Sequence, residues 1–175
     1  MTKWFPEVLK KYKIYSVFDL LLEYLKEGRI KVDSTRHPQR TTYHDPCNYG
    51  RKSLKTFGHG YFEEGRIITK ECAPDFVEMY PNRESNYCCG AGGGAWAMPF
   101  KAERVYYGRI KARQIKETEA ELVVTPCHNC RDQIMKSLNK EYDLGVEVKY
   151  MWELVADSLI LPGQEDKEGE DKKGE

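Results

Sequence analysis

Four short stretches rich in β-branched and aromatic residues recur along this chain, and the segments between them are long enough to form helices. The stretches read RTTYHDPC, DFVEMY, ELVVTPC and VEVKYM. Strands that alternate with helices are typical of a parallel sheet whose two faces are both covered. The sequence therefore predicts an α/β fold with a parallel, Rossmann-like sheet and helices on both of its faces.

The segments around these strands carry helical signals. Ser16 is expected to cap the amino end of the amphipathic stretch SVFDLLLEYLKEG, and Gly28 suits its left-handed end. The longest helical stretch, FKAERVYYGRIKARQIKETEA, is predicted to place Val105, Ile110 and Ile115 roughly on one side. The stretches RDQIMKSLNKEY and WELVADSLI follow the later strands and are predicted as helices as well.

Length and composition indicate one globular unit with two different ends. A chain of 175 residues is long enough for one well-packed domain, which we expect over residues 41–162. Residues 1–40 are predicted to form a helical segment that packs on this domain. Residues 163–175 consist mostly of charged residues and glycine, and they are predicted to be a disordered tail.

The charge balance excludes some classes of partner. The 28 basic and 28 acidic residues leave no net charge, so the sequence does not indicate a nucleic-acid-binding protein. No apolar run approaches the length of about 20 residues that a membrane span needs, and the start, MTKWFPEVLKKYK, lacks the apolar stretch of a signal peptide. We therefore expect a cytoplasmic protein. In that reducing compartment, six cysteines are better explained by metal or redox chemistry than by structural disulfides.

Five of the cysteines follow predicted strands. Cys47 comes after the first strand, and Cys88 and Cys89 lie beyond the second. Cys127 and Cys130 follow the third strand. In open α/β sheets ligands bind at the carboxyl ends of the strands, because loops from neighbouring strands meet there. We therefore expect the five thiols to converge in one pocket at that edge of the sheet.

Three simpler explanations account for only part of this pattern. A structural zinc site usually takes two short Cys-x-x-Cys or Cys/His pairs, and this chain has one such pair. A thioredoxin-like dithiol is suggested by TPCHNC, but it would use only Cys127 and Cys130. A dinucleotide fingerprint is matched by Gly90, Gly92 and Ala95, although no predicted strand runs directly into it. A zinc-binding structural domain and a dithiol oxidoreductase stay open as alternatives.

An iron–sulfur cluster explains the whole pattern. Thiolates are the usual ligands of such clusters, and adjacent cysteines of an extended backbone point in opposite directions, so the pair can serve two iron atoms. The glycine run that follows lets backbone N–H groups approach a bulky inorganic core, where a Cβ atom would collide. The glycines expected around the cluster are Gly90, Gly92, Gly93 and Gly94.

The segments YHDPCNYGR, NYCCGAGGG and TPCHNC resemble, in order, wording and spacing, the signature segments of the CCG domain. This is the cysteine-rich domain of the catalytic subunit of heterodisulfide reductase, and the resemblance covers residues 41–142. The phrase MYPNRESNYCCGAGGG is especially similar to the DsrK-like subunits of menaquinol-oxidising and sulfite-reduction-associated complexes. The family's ferredoxin motif, Cys-x-x-Cys-x-x-Cys-x-x-x-Cys-Pro, and its first CCG repeat are not in the sequence. We therefore expect the C-terminal CCG domain or a separately encoded piece.

The resemblance implies a noncubane 4Fe-4S cluster used for thiol/disulfide redox chemistry. It implies that the cluster takes electrons from a ferredoxin-type iron–sulfur domain or subunit and delivers them to a disulfide substrate. Quinol would be oxidised by other, membrane-bound subunits, so that the domain would lie on the cytoplasmic face of a membrane. The implied cluster ligands are Cys47, Cys88, Cys89, Cys127 and Cys130.

The residues next to these motifs have weaker signals. His44 could donate a hydrogen bond to the cluster or relay protons to a leaving thiolate, which makes it the one candidate catalytic residue. Asp45 precedes a proline and is expected to form a turn. Asn129 could donate a hydrogen bond to a sulfur atom. Cys72 lies outside the five-cysteine pattern and is expected to be a buried thiol.

Overall fold

The computed structural model describes residues 6–12 and 15–163. The predicted tail, apart from Gly163, and the first five residues of the predicted helical segment lie outside the described residues. The helices and strands, in chain order, are α1 (Pro6–Lys11), α2 (Val17–Lys26), β1 (Thr41–Tyr43), α3 (Ser53–Phe57), α4 (Glu63–Cys72), β2 (Phe76–Val77), α5 (Lys101–Thr118), β3 (Leu122–Thr125), α6 (His128–Gln133), α7 (Asn139–Glu141), β4 (Glu147–Tyr150) and α8 (Met151–Ser158).

Short irregular helices complete these elements. A π-helical turn over Asn48–Lys52 leads into α3, and a second one over Ile134–Leu138 joins α6 to α7. The 3₁₀ turns are Ser34–Arg36, Arg83–Ser85 and Ala95–Ala97. The described segments before β1 contain α1 and α2, and α2 packs on the rest of the chain through Phe18, which is fully buried.

The four strands form one parallel sheet in the order β2-β1-β3-β4. Thr41 of β1 pairs with Phe76 of β2 on one side and with Leu122 of β3 on the other. The prediction of a parallel α/β sheet is confirmed, although β2 covers only Phe76–Val77 of the predicted stretch DFVEMY. Because the chain moves outward from β1 in both directions, the switch point of the sheet lies between β1 and β3.

Helices cover both faces of the sheet, as predicted. Within β3, Leu122 and Val124 face the side covered by α2, α4 and α8, whereas Val123 faces the side covered by α5 and the run from α6 to α7. This alternation follows from the two-residue period of a strand. All three side chains are fully buried, and burial of one such side chain contributes about 1.5–3 kcal/mol.

The predicted ends of α2 are also confirmed. The Ser16 side chain accepts a hydrogen bond of 3.2 Å from the backbone N–H of Phe18, and it therefore caps the helix. Gly28 has a φ of +68°, the left-handed conformation that glycine adopts without strain. Phe18 then stacks on Tyr61 and meets Tyr49 and Trp152 edge to face.

The predicted apolar side of α5 is only partly right. Val105 and Ile115 are buried, but Ile110 is 37% exposed. A helix turns by about 100° per residue, so a step of five residues moves Ile110 well away from the direction of Val105. The buried face instead includes Gly108 and the fully buried Lys111, whose side chain points toward the cysteine edge of the sheet.

Candidate metal centre

The five cysteines of the predicted site lie at the carboxyl edge of the sheet. Cys47 follows β1 and Cys127 follows β3, so these two flank the switch point. Cys130 lies in α6, and Cys88 and Cys89 follow the 3₁₀ turn Arg83–Ser85. The carboxyl ends of neighbouring parallel strands meet at one edge, and this brings loops that are distant in sequence together.

The vicinal cysteines contact different partners. The Sγ atom of Cys88 lies 4.0 Å from that of Cys47, and Cys88 is exposed. The Sγ atom of Cys89 lies 3.3 Å from that of Cys130, and both of these residues are buried. The cysteines are free thiols, since these separations are far longer than the about 2.05 Å of a disulfide. One adjacent pair therefore supplies sulfur to two sides of a single site.

Hydrogen bonds between the thiols lower the pKa of the cysteine that accepts and raise the pKa of the cysteine that donates. The thiol of Cys47 donates toward Cys88, which lowers the pKa of Cys88 well below its usual range and raises that of Cys47. The Cys130 thiol in the same way lowers the pKa of Cys127 to about 6, and the pKa of Cys130 rises. Thiolates are the forms that bind metals, so at neutral pH two of the sulfurs are ready to coordinate.

Two cations stand beside the sulfur atoms. The Arg51 guanidinium lies 3.7 Å from the Sγ atom of Cys47 and also donates to the backbone carbonyl of Asn86. The Lys111 ammonium donates to the Asn86 side-chain oxygen at 2.5 Å and lies 3.6 Å from the sulfur of Met79. Burial lowers the pKa of Lys111 to about 8, so it stays largely protonated at neutral pH. These charges offset the negative charge of the thiolates.

No direct signal in the sequence indicates these two cations. Charged residues of an amphipathic helix are usually assigned to the solvent face, yet Lys111 is fully buried in α5. Arg51 lies in the π-helical turn directly after Cys47, where a four-residue step returns its side chain to that thiol. Only this spacing from Cys47 could have indicated Arg51 in advance.

A buried ion-pair network supports the loops that carry the cysteines. Asp45 makes a two-pronged ion pair with Arg66, with distances of 2.7 and 2.8 Å, and both side chains are buried. Arg66 also donates to Glu78 at 2.7 Å. The Asp45 carboxylate accepts from the backbone N–H of Arg83, and its backbone carbonyl accepts from the side chain of Asn86. Asp45 thus does more than form the expected turn, because it joins the loop after β1 to the loop before Cys88.

His44 lies with the cysteines, directly after β1. Its side chain is fully buried, and neither ring nitrogen has a hydrogen-bond partner among the described residues. One ring nitrogen and the Sγ atoms of Cys89 and Cys130 all lie within 4.8 Å of one another. Burial, and after it the charge of Lys111, lowers the pKa of His44, so the ring is neutral.

The glycines of the predicted site have different surroundings. The backbone N–H of Gly90 donates to the Sγ atom of Cys88 at 3.3 Å. Gly90 has a φ of +93°, and a Cβ atom there would collide with the backbone carbonyl of Arg104 in α5. A Cβ atom at Gly92, Gly93 or Gly94 would meet no atom within 4 Å. These three glycines are exposed, and only Gly93 and Gly94 have a backbone reason to be glycine, since their φ angles of +63° and +88° are left-handed.

The glycine run does not have the structure of a dinucleotide fingerprint. β2 ends at Val77, well before Gly90, and the run is followed by a 3₁₀ turn rather than by the start of a long helix. The fingerprint needs a strand that enters the turn and a helix that leaves it.

The donor set suits an iron–sulfur group better than a single ion. Five thiols exceed the four ligands of one tetrahedral zinc, and a zinc held by Cys89 and Cys130 beside His44 would leave Cys47 and Cys88 unused. Asn129 contributes through its backbone N–H, which together with that of Cys130 lowers the pKa of Cys127.

Cys72 is fully buried in α4 on the other face of the sheet, and burial raises its pKa to about 11. It takes no part in this site.

An open cavity of about 640 Å³ borders the site at Cys127. Aromatic side chains form much of its wall, and none of its lining residues is acidic. The lining residues are Ser16, Asn48, Tyr49, Lys52, Ser53, Thr56, Phe57, His59, Tyr61, Cys127, His128, Asn129 and Tyr150. A small molecule in this cavity would reach one sulfur of the five without entering the core.

None of the helices in the described residues has the length and apolar character of a membrane span.

Comparison with known proteins places these motifs in a family. A model of the cysteine-rich CCG domain matches residues 41–135. The chain is 30% identical over 152 residues to an Hdr-like menaquinol oxidoreductase iron-sulfur subunit of Archaeoglobus profundus, covering 83% of this chain and 26% of that protein. It is 30% identical over 152 residues to a dihydromethanophenazine:CoB--CoM heterodisulfide reductase subunit of Methanosarcina mazei, covering 86% of this chain and 35% of that protein.

A third relative is the EtfAB:quinone oxidoreductase of Syntrophomonas wolfei, 28% identical over 138 residues, with 74% of this chain and 18% of that protein covered. The chain therefore spans between about a sixth and about a third of the length of these relatives. The match of the family model extends over more than half of the chain and includes all five clustered cysteines. This chain belongs to the CCG family of cysteine-rich domains.

Proposed function

We propose that this chain is the iron–sulfur electron-transfer domain of a heterodisulfide-reductase-like complex, and that it uses a noncubane 4Fe-4S cluster for thiol/disulfide redox chemistry. The observation that carries the proposal is the divergence of the vicinal pair. Cys88 meets Cys47 at 4.0 Å, whereas Cys89 meets Cys130 at 3.3 Å. A series of neighbouring sulfur atoms with different partners matches the needs of a cluster with several iron atoms.

The ligands in this proposal are the five cysteines of the pattern. Cys127 is a thiolate because the Cys130 thiol donates to it, and Cys88 is a thiolate because the Cys47 thiol donates to it. The remaining protons would leave when iron binds, as they do whenever thiols become metal ligands. Arg51 and Lys111 then limit the cost of gathering negative charge in a partly buried site.

The partners in this proposal follow from the names of the relatives. These names describe an iron–sulfur subunit of a menaquinol oxidoreductase, a subunit of a heterodisulfide reductase and a quinone oxidoreductase. We propose that this domain receives electrons from a ferredoxin-type iron–sulfur domain or subunit and that other subunits handle the quinol. The domain would then lie on the cytoplasmic face of the membrane as a peripheral component.

The chemistry in this proposal is reduction of a disulfide, or the reverse reaction. A disulfide that takes up two electrons and two protons gives two thiols, so the electron donor must supply both electrons. The cavity beside Cys127 is open to solvent and leads to the cluster site, so it gives a small disulfide a path to the site. His44 is buried beneath the cysteines rather than in the lining of this cavity. This position favours a role toward the cluster over a role as a proton relay to a departing thiolate.

The test is quantification of iron and sulfide, with electron paramagnetic resonance, on anaerobically reconstituted protein. We expect brown protein with about four iron and four sulfide per chain. Colourless protein that holds one zinc after the same treatment would support the zinc-binding structural domain instead and would overturn the proposal.

A thioredoxin-like dithiol is the second candidate, and the pKa of about 6 at Cys127 favours it. It predicts that metal-free protein reduces a generic disulfide and that this activity depends only on Cys127 and Cys130. Activity that needs iron, or that also needs Cys47 and Cys88, would exclude it.

A further inference from the structure

We propose that the imidazole of His44 contacts the iron–sulfur group directly, by donating a ring N–H hydrogen bond to one of its sulfur atoms. This inference rests on the cluster proposed above, and it gives that cluster a sixth protein contact besides the five cysteines. The role is that of a positioning residue that tunes the redox equilibrium of the site.

The first support is that the His44 ring is buried with both of its polar atoms unpartnered within the described part of the chain. Its side chain has no exposed surface, and both of its ring nitrogens lack a partner among the described residues. The buried cations of this region have partners, since Lys111 donates to Asn86 and Arg66 pairs with Asp45, whereas His44 shares its lack of a partner among the described residues with the hydroxyls of Thr42, Tyr43 and Thr125. His44 differs from these hydroxyls in that it lies beside the thiols of Cys89 and Cys130. Buried polar atoms of native proteins are nearly always hydrogen-bonded, so an orphaned ring at a ligand edge indicates a missing partner.

The second support is the direction in which the ring faces. One of its nitrogens lies within 4.8 Å of the Sγ atoms of both Cys89 and Cys130, yet it makes no hydrogen bond to either. The missing partner therefore belongs on the side of these two thiols, where the iron–sulfur group would bind.

The third support is that the ring is held in place. The backbone N–H of His44 donates to the carbonyl of Val124 at 2.9 Å, so the residue is anchored to β3 at the end of the central strand. Because the side chain is fully enclosed, it has no route to solvent as an alternative partner. Whatever tautomer the ring adopts, it has at least one N–H to donate.

The expected consequence is a change in redox equilibrium. A hydrogen bond to a cluster sulfur stabilises the reduced, more negative state more than the oxidised one, so it raises the reduction potential. Removal of the donor should shift the equilibrium toward the oxidised state about tenfold, which is about 59 mV for a one-electron couple.

His37 provides a matched control. It is also buried, and its Nε2 atom also lacks a partner among the described residues. It precedes β1 at the opposite edge of the sheet, where the nearby charges are those of Lys149 and Asp157 rather than of cysteines. A substitution at His37 therefore has a similar effect on packing without a change near the cluster.

The experiment compares the wild type with His44→Phe, His44→Gln and His37→Phe after anaerobic reconstitution. Iron and sulfide are counted first, and the reduction potential is then measured by a titration followed with electron paramagnetic resonance. We expect the loaded His44→Phe protein to shift by about tenfold toward oxidation, and His44→Gln, which keeps an N–H donor, to recover most of the shift. The His37→Phe variant should titrate like the wild type.

Pulsed electron paramagnetic resonance of the wild type supplies a readout that does not depend on the variants. A weak ¹⁴N coupling, absent from His44→Phe, supports the hydrogen bond. The absence of any imidazole nitrogen coupling, a strong coupling typical of a nitrogen ligand to iron, or an unchanged potential in loaded His44→Phe would overturn the inference. Failure of the wild type to hold iron and sulfide would instead overturn the proposed function, so the two failures are distinguishable.

Discussion

The Sγ atoms of Cys89 and Cys130 lie 3.3 Å apart in the buried half of the site, although one residue follows the second strand and the other lies in α6. A hydroxyl oxygen is a much harder ligand than a thiolate, so the Cys89→Ser variant should lose the cluster. Iron and sulfide content per chain after anaerobic reconstitution measures this. The matched control is Cys72→Ser, which changes an equally buried thiol on the other face of the sheet and should keep the full content. Full iron in Cys89→Ser would remove Cys89 from the ligand set.

The buried ion pair of Asp45 and Arg66 should dominate the stability of the loops around the site. In Asp45→Asn the Arg66 guanidinium keeps its ion pair with Glu78 but loses the two-pronged pair with Asp45, which should lower the free energy of unfolding by about 1–3 kcal/mol. Denaturant unfolding of metal-free protein measures this. Glu63→Gln removes an exposed ion pair with Arg83 and should cause a much smaller loss. Equal decreases in the free energy of unfolding in the two variants would contradict a larger contribution from the buried Asp45–Arg66 pair.

Much of the fold was predictable because its signals are local. The strand stretches, the Ser16 cap and the left-handed Gly28 each depend on a few neighbouring residues, and each appears in the structure. The exposure of Ile110 was not predictable by the same rules, because the buried face of α5 is set by what it packs against. That face includes the fully buried Lys111. Its hydrogen bond to Asn86, a residue distant in sequence, offsets part of the cost of burying the ammonium group.

The candidate site was predictable in part for a similar reason. Parallel strands bring their carboxyl ends to one edge, so the convergence of Cys47 and Cys127 follows from the order of strands and cysteines. The pairing of Cys88 with Cys47 and of Cys89 with Cys130 is a three-dimensional result that spacing alone does not determine. The support given by Asp45 and Arg66 joins residues 21 positions apart, and nothing near either residue indicates the other.

The close approach of α5 to the cysteine loop should make Gly108 intolerant of a side chain. A Cβ atom there would lie 2.7 Å from the backbone carbonyl oxygen of Cys89 and 2.6 Å from the side chain of Leu138. Gly108→Ala should therefore lower the free energy of unfolding of metal-free protein by about 1–3 kcal/mol, despite the better helix propensity of alanine. Gly92→Ala, where a Cβ atom would meet nothing within 4 Å, should leave that free energy nearly unchanged. A Gly108→Ala protein as stable as the wild type would contradict this packing.

The thiolate character of Cys127 should be visible as a pH dependence of its alkylation in metal-free protein. Its pKa of about 6 means that the reactive thiolate predominates above that pH and is lost as the pH falls through it. Site-resolved mass spectrometry after short exposure to iodoacetamide should therefore show Cys127 modification that rises around pH 6. Cys72 should stay unmodified across the same range, because it is fully buried and burial raises its pKa to about 11.

The Cys130→Ala variant tests the cause of this low pKa. The largest contribution to it is the hydrogen bond from the Cys130 thiol, so the midpoint of Cys127 alkylation should move upward when that donor is removed. Cys130→Ser, which keeps an O–H donor, should move it less. A midpoint that stays near pH 6 in Cys130→Ala would assign the shift to the backbone N–H groups of Asn129 and residue 130 instead.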